Sequence, residues 1–499
     1  MENQNSVHKG YIKTYLSYGF GGFGHDVLYA VMSTYFIMFV TSQLFTGANA
    51  KWVVVITTII TVLRLAETLI DPIIGSVVDN TRTKIGRFKP WILIGGLLWA
   101  VLLCFLFTSI FGVADSNPMM YVCIFAVVYL VMDISYSFKD SAYWGMLSSL
   151  STNSRVRNNI GTAARVGSTL AQGLTMVAVV PVVKFFSVGN FAADDSMQNR
   201  QGWFLFAVLT CTIAFISAIV VALFVNESKD AVRSDEKYST MDVFKTLAKN
   251  DQLMWIGASY ILLCLGQLVT QSLLLYYFTY IKGDAGMFAI CGFIQVAAGF
   301  VSVIIFPTLS KIFGRKTLYI ACICLMLVGY IIWIFADSSA LLSYVGYLFF
   351  IAPYPMLFLC VMLTIADTVE YGQWKNGTRA ESATLVVRVM CDKIGGAISN
   401  AVVGFVAAAC GMVGVASQGE WSNALNGDTS SAALTFKLVW LLVPGILLAV
   451  SAIMYKFKVH MDESMHAKIV AELEEDVKTG HKPEAGERSI RDLLVDRID

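Results

Sequence analysis

Twelve runs of predominantly apolar residues, separated by short polar stretches, organise this chain. They fall near 18–44, 52–79, 91–112, 119–148, 159–187 and 203–226, then near 253–281, 286–310, 317–336, 340–370, 383–412 and 432–457. A helix needs roughly 20 residues to cross a hydrocarbon core of ~30 Å, so each run is long enough to span a bilayer. The pattern predicts an all-α membrane protein with twelve transmembrane helices. A charged interval at 227–252 splits the runs six and six. We therefore expect an N-terminal six-helix bundle (1–226), a central loop (227–252), a C-terminal six-helix bundle (253–457) and a tail (458–499).

Lys and Arg in the short connections orient the spans. One side holds Arg82, Lys84, Arg87, Lys89, Arg155, Arg157, Lys311, Arg315, Lys316, Lys375 and Arg379, together with the basic residues of the central loop. The other side offers Lys51, Lys184, Arg200 and Lys282. Both termini are thus expected on the cytoplasmic side. TKIGRFKPWILI after the second run is echoed by SKIFGRKTLYIA after the eighth, which suggests two halves related by an axis along the membrane normal. Asp79, Arg82 and Arg315 in these connections are candidates for holding a gate shut rather than for binding.

Composition agrees with the pattern. Hydrophobic residues make up 57% of the 499, charged residues 14%, where a soluble domain carries about 25% charged residues. The lipid bilayer is the expected partner, and a net charge of +1 gives no reason to expect nucleic acid. Ten cysteines are scattered singly through apolar runs, which suits reduced thiols better than a disulfide framework or a metal site. The first residues, MENQNSVHKGYIKTYLSYGF, lack a short apolar stretch followed by a small-residue cleavage site, so no signal peptide is expected.

Charges inside the runs carry the chemistry. Each costs about 2.5–3.5 kcal/mol at a span centre, so a buried charge needs a function or a partner. Arg64, Glu67 and Asp71 share one helix face at i, i+3 and i+7, and must look into the bundle or a wet cavity. Pro72 is expected to loosen the helix beside them. The fourth run repeats the theme with Asp133, Tyr136, Ser137, Lys139, Asp140 and Trp144. A carboxylate one turn from an indole suits a sugar: the acid accepts hydroxyl hydrogens while the ring covers an apolar face. Asp26 adds a charge in the first run, Arg165 in the fifth, and Arg388, Asp392 and Lys393 in the eleventh. Taken singly, Arg64, Asp133, Lys139 and Asp392 read as structural ion pairs.

Several stretches together resemble the glycoside–pentoside–hexuronide:cation symporters of the major facilitator superfamily. They are GHD at 24–26, ETLIDPIIGSVVDNTRTKIGRFKPWIL, KDSAYW, ADTVEYGQWKNGTRAES and MCDKIGGAIS. The resemblance spans almost the whole chain. STYFIMFVTS, NDQLMW and HAKIVAELEE are most similar to the galactoside permeases of lactic-acid bacteria. It implies that Asp26 and Asp140 bond sugar hydroxyls, that Trp144 stacks on the sugar, and that Tyr136 and Arg165 flank it. Glu67 and Asp71 would form the cation site with Ser137 as a hydroxyl ligand. Lys393 would serve both sugar and cation, and Glu381 would act in coupling. No cofactor is implied.

Two departures bear on mechanism. Melibiose permease, a more distant relative, has aspartate where Glu67 stands and asparagine where Ile70 stands. Losing that amide oxygen favours H+ over Na+ at Glu67 and Asp71, because a proton needs only one carboxylate. Some relatives carry a phosphotransferase-like domain after the last span. Here the tail from 458 is expected to form a short amphipathic helix, with His460, His466 and His481 solvated. The leading expectation is a symporter of lactose, melibiose or raffinose in the bacterial cytoplasmic membrane, also able to exchange sugars. Alternatives are a pentoside or glucuronide symporter, a non-transporting sugar sensor, and an amphiphile carrier, which the Asp26, Asp140 and Trp144 set disfavours. No nucleophile–base spacing points to an enzyme.

Overall fold

The computed structural model describes residues 2–45, 51–150, 154–190, 198–226, 249–377 and 381–479, and every long element in it is a helix. Helix α1 (Glu2–Ala30) continues through two wide π-type turns, Val31–Tyr35 and Val40–Leu44. Then come α2 (Lys51–Asn80), α3 (Lys89–Leu106), α4 (Pro118–Ser149), α5 (Ser154–Val188) and α6 (Arg200–Phe224). The later helices are α7 (Asp251–Tyr276), α8 (Met287–Phe313), α9 (Arg315–Ile334), α10 (Ala340–Ile351) and α11 (Tyr354–Asn376). The last are α12 (Glu381–Ala409), α13 (Ser430–Lys437), α14 (Val443–Lys458) and α15 (Glu463–Thr479).

Among the described residues, 11 helical stretches are long and apolar enough to cross a membrane. Each coincides with an expected run. The remaining run, 52–79, forms the 30-residue α2, where the intramembrane charges sit. This helix is continuous through position 72. The central loop lies largely outside the described residues, at 227–248.

Local signals start the helices where polar caps stand. Asn117 accepts from the Met120 amide at 3.1 Å ahead of Pro118, and Asn199 accepts from Gly202 at 2.8 Å ahead of α6. The two basic connections differ. Thr83 and Gly86 close a tight turn between α2 and α3, with Thr83 Oγ1 donating to the Gly86 carbonyl at 2.6 Å. Between α8 and α9 the chain turns on Gly314 alone, at φ 74°, a left-handed conformation that glycine adopts without strain.

The described residues form two compact units. The first contains 1–235, 271–296 and 397–437; the second contains 236–270, 297–396 and 438–499. In the first unit α1 packs on α5 and α6, α3 on α4 and α6, and α2 on α4. Glycines let α1 and α5 nearly touch: a Cβ on Gly167 would lie 2.0 Å from the Gly19 carbonyl oxygen. Tyr18 and Tyr143 stack at 4.6 Å and each donates its hydroxyl to the other's carbonyl, fixing α1 against α4. Because lipid gives helices no hydrophobic reason to associate, close backbone approach and such bonds hold the bundle.

In the second unit α9 packs on α10, α11 and α14, with Tyr319 stacked on Tyr455 at 3.9 Å. The tail is not solvated as expected. Helix α15 docks on α11: Trp374 Nε1 donates to Glu472 at 2.7 Å, and His466 lies 3.8 Å from Glu370 and 3.9 Å from Asp367. The His460 amide donates to Gln252 at 2.8 Å. Met465 and Ile469 are buried, so an apolar stripe drives the docking while acids and imidazole set its register. His481 lies outside the described residues.

Candidate functional site

Helices α1, α2, α4 and α5 of the first unit bring most of the expected residues together in two adjoining clusters. In the first, Ser137 on α4 points its hydroxyl between the two acids of α2. Its Oγ lies 3.0 Å from Asp71 Oδ1 and also bonds Glu67 Oε1. Glu67 is buried and Asp71 half-buried. The i, i+4 spacing of the acids places both on the α4-facing stripe, so one hydroxyl bridges them. One turn earlier Arg64 is buried, donating from Nε to the Tyr129 hydroxyl at 3.0 Å.

A serine hydroxyl has a single hydrogen. Bonding both acids requires one carboxyl to donate to Oγ while the other accepts from it. The arrangement is therefore complete when the pair holds one proton.

The second cluster surrounds Asp140. His25 on α1 approaches it, Nε2 to Oδ1 3.1 Å, and is itself buried. The imidazole stacks near Tyr143 at 5.7 Å and Tyr136 at 5.9 Å, and tilts over Trp99 at 5.8 Å. Asp26, adjacent on α1, accepts from Gln172 of α5 at 3.4 Å. Trp144 is half-buried, with the Arg165 guanidinium 4.6 Å from its ring centre and Tyr143 edge-on at 5.2 Å. Arg165 is exposed and lies over one indole face. Lys139 is buried with its ammonium 4.8 Å from the Trp99 ring, a cation–π contact, and has no hydrogen-bond partner among the described residues. Acceptors, donors and aromatic planes thus line one patch, the chemistry that grips a polyhydroxylated ring.

The second unit holds the other expected residues. Lys393 is half-buried on α12 beside Asp392, which accepts from the Tyr260 hydroxyl and from Arg388, both at 2.7 Å. Arg315 opens α9 and pairs with Asp367 of α11; its Nε and backbone amide bond Glu463 at 3.0 and 2.8 Å. Burial raises the Glu463 carboxyl's proton affinity, but the bonds from Arg315 outweigh it and hold the group below the usual carboxylate range. Arg82 is exposed after α2. The side chains of Asp79 and Glu381 lie outside the described residues. Sequence reasoning assigned no role to His25, although GHD places it beside Asp26, and none to Gln172, which carries no local signal.

The fold has counterparts among solved structures. The nucleoside transporter NupG superposes with a TM-score of 0.59, covering 89% of this chain and 99% of its own at 14% identity, and a mutant form of NupG does so at 0.60. At that identity the likeness concerns the fold alone. The sequence pattern of the MFS/sugar transport protein family matches residues 17–461.

The chain belongs to the MFS/sugar transport protein family.

Two relatives of this transporter match over most of its length. Lactose permease of Lactobacillus delbrueckii subsp. bulgaricus is 41% identical over 467 residues, covering 93% of this chain and 73% of that protein. The raffinose carrier protein of Pediococcus pentosaceus is 42% identical over 470 residues, covering 93% and 72%. The expected family resemblance thus holds along the chain, and the protein is a multi-pass membrane transporter of sugars rather than an enzyme.

Proposed function

We propose that this transporter carries a galactoside such as lactose, melibiose or raffinose into a bacterial cell by proton symport, with sugar exchange as a partial reaction. Lactose and raffinose, named in two relatives, share a terminal galactosyl unit. The observation that carries the coupling is the Ser137 hydroxyl bridging Glu67 and Asp71, an arrangement completed by one proton. Asp26, Asp140, Trp144, Arg165 and Tyr136 would hold the sugar, on the strength of the aromatic and carboxylate patch around His25. Lys393 and Glu381 would serve coupling, and Asp79, Arg82 and Arg315 gating, as the family resemblance implies. The topology proposed is twelve spans in two six-helix bundles, 1–226 and 253–457, with both termini cytoplasmic. It is supported by the run pattern and by the one-sided Lys and Arg.

The test is uptake of labelled lactose, melibiose and raffinose by a transport-deficient host producing the protein. Accumulation should collapse with an uncoupler and ignore Na+. Sodium-stimulated uptake that persists with the uncoupler would overturn proton coupling; failure to take up any galactoside would overturn the substrate class.

A further inference from the structure

In the first unit two buried, oppositely charged groups lie near each other without being joined. Arg64 donates from Nε to Tyr129 at 3.0 Å and, with the Asn400 amide in the orientation its neighbours require, from Nη1 to the amide oxygen at 3.2 Å. The Asn400 nitrogen in turn donates to the Ser33 carbonyl at 3.0 Å. Arg64 Nη2 is buried with no hydrogen-bond partner among the described residues. Asp133, one turn beyond Tyr129 on α4, is 1% exposed, and neither carboxylate oxygen has a hydrogen-bond partner among the described residues. Its charge acts on Arg64, as do Glu67, Tyr129 and Tyr29. Glu67 is engaged by Ser137; Asp133 is the acid left open.

Asn400 belongs to a packed seam. Thr61 Oγ1 of α2 donates to the Ala397 carbonyl of α12 at 3.0 Å, one turn from Arg64 and from Asn400 respectively. A Cβ on Gly404 would come within 2.4 Å of Thr57. Small residues therefore let α2 and this part of α12 approach closely, and the Arg64–Asn400 bond is the polar clasp of that face.

We propose that Arg64 is a two-position switch that exchanges Asn400 for Asp133 when α12 leaves α2 during transport. A buried guanidinium that loses a partner is heavily penalised, and so is a buried carboxylate left unpaired. Closing Arg64 on Asp133 as the seam parts removes both penalties together. The exchange therefore sets the balance between a seam-closed and a seam-open state, the bistable element that alternating access needs. Arg64 and Asp133 are positioning residues here; neither touches sugar. The proposal rests on the protein being an alternating-access transporter.

Hydrogen–deuterium exchange of purified, reconstituted protein at 57–68 and 397–406 reads the seam directly. Asn400→Leu should raise exchange there by about tenfold, the low end of what a hydrogen bond to a charged group contributes. Asn400→Asp, which turns the clasp into an ion pair, and Asp133→Asn, which removes the alternative partner, should both lower it. A merely structural clasp would also tighten with Asn400→Asp, so Asp133→Asn is the variant that decides: without an alternative pairing it would leave the seam unchanged or looser. Unchanged or raised exchange in Asp133→Asn, or unchanged exchange in Asn400→Leu, would overturn the switch. Labelled-galactoside uptake by the unaltered protein is measured in parallel. If that uptake fails while the three variants behave as expected, the substrate reading fails and the switch stands.

Discussion

Replacing Gly167 by alanine should open the sugar patch without touching it. A Cβ there would lie 2.0 Å from the Gly19 carbonyl oxygen and 3.0 Å from the Phe23 nitrogen, both backbone atoms that no rotamer change can move. Carbon–oxygen contacts sit at about 3.3 Å or more, so α1 and α5 must separate by about 1.3 Å at this crossing. Overpacking of this kind costs about 1–3 kcal/mol in stability. The displaced α1 carries His25, whose contact with Asp140 is 3.1 Å. Stretched beyond about 4 Å it is no longer a hydrogen bond. A bond to a charged group contributes about 1.5–3 kcal/mol, so galactoside affinity should fall roughly ten- to hundredfold. Equilibrium binding of labelled sugar to purified, folded protein measures this, with thermal unfolding recorded beside it. Gly75→Ala on α2 is the control, because among the described residues nothing lies within 4 Å of its Cβ position. It should keep binding and gain about 1 kcal/mol from helix propensity. Unchanged affinity in Gly167→Ala would refute the claim that α1–α5 contact sets the site.

Other outcomes follow from the same geometry. Glu67→Gln and Asp71→Asn should each abolish uphill uptake while sparing part of the sugar exchange; ~100 mV supplies about 2.3 kcal/mol per proton, or roughly 50-fold accumulation, as the signal to lose. Equal loss of exchange and accumulation in both would mark the pair as structural. Trp144→Ala should weaken sugar binding by about 1–3 kcal/mol, as at other aromatic platforms, and titration calorimetry checks it. Arg200 bonds Asp115 through both oxygens, at 2.6 and 2.7 Å, and holds its carboxyl below the usual range. This contribution is complete above the ordinary aspartate value of about 3.9 and disappears as pH falls through the lowered one. The pair is exposed and contributes under about 1 kcal/mol. The difference in Tm between the parent and Asp115→Asn should therefore be small at pH 7 and vanish in acid; a difference that grows in acid contradicts the pairing.

The helices were legible because lipid demands long apolar runs, and each run is helical along most of its described length, although 340–370 is divided between α10 and α11. The bridging of Glu67 and Asp71 by Ser137 was nearly legible too: helical spacing put the acids on one stripe, and Ser137 stood among the polar residues of the fourth run. His25 against Asp140 was not, since the two stand on different helices and only packing decides which faces meet. Asn400 shows the same limit: an amide in an apolar run carries no signal for an arginine 336 positions away. The tail was misjudged because amphipathic periodicity reveals an apolar stripe but not the surface that receives it.

The turn between α2 and α3 has a practical use. Thr83 and Gly86 pinch the backbone, Trp91 is tied to Thr81 by a 2.8 Å bond, and Arg82 and Lys84 are left exposed. Two anchored helix ends thus present a short target for a trypsin-like protease. In proteoliposomes with the transporter inserted both ways round, externally added protease would cut at Arg82 or Lys84 only in molecules whose turn faces outward, while Lys51, Lys184, Arg200 and Lys282 are expected on the other side. The fraction uncut at 82–84 then counts the opposite insertion, giving every vectorial flux measurement its own calibration of sidedness.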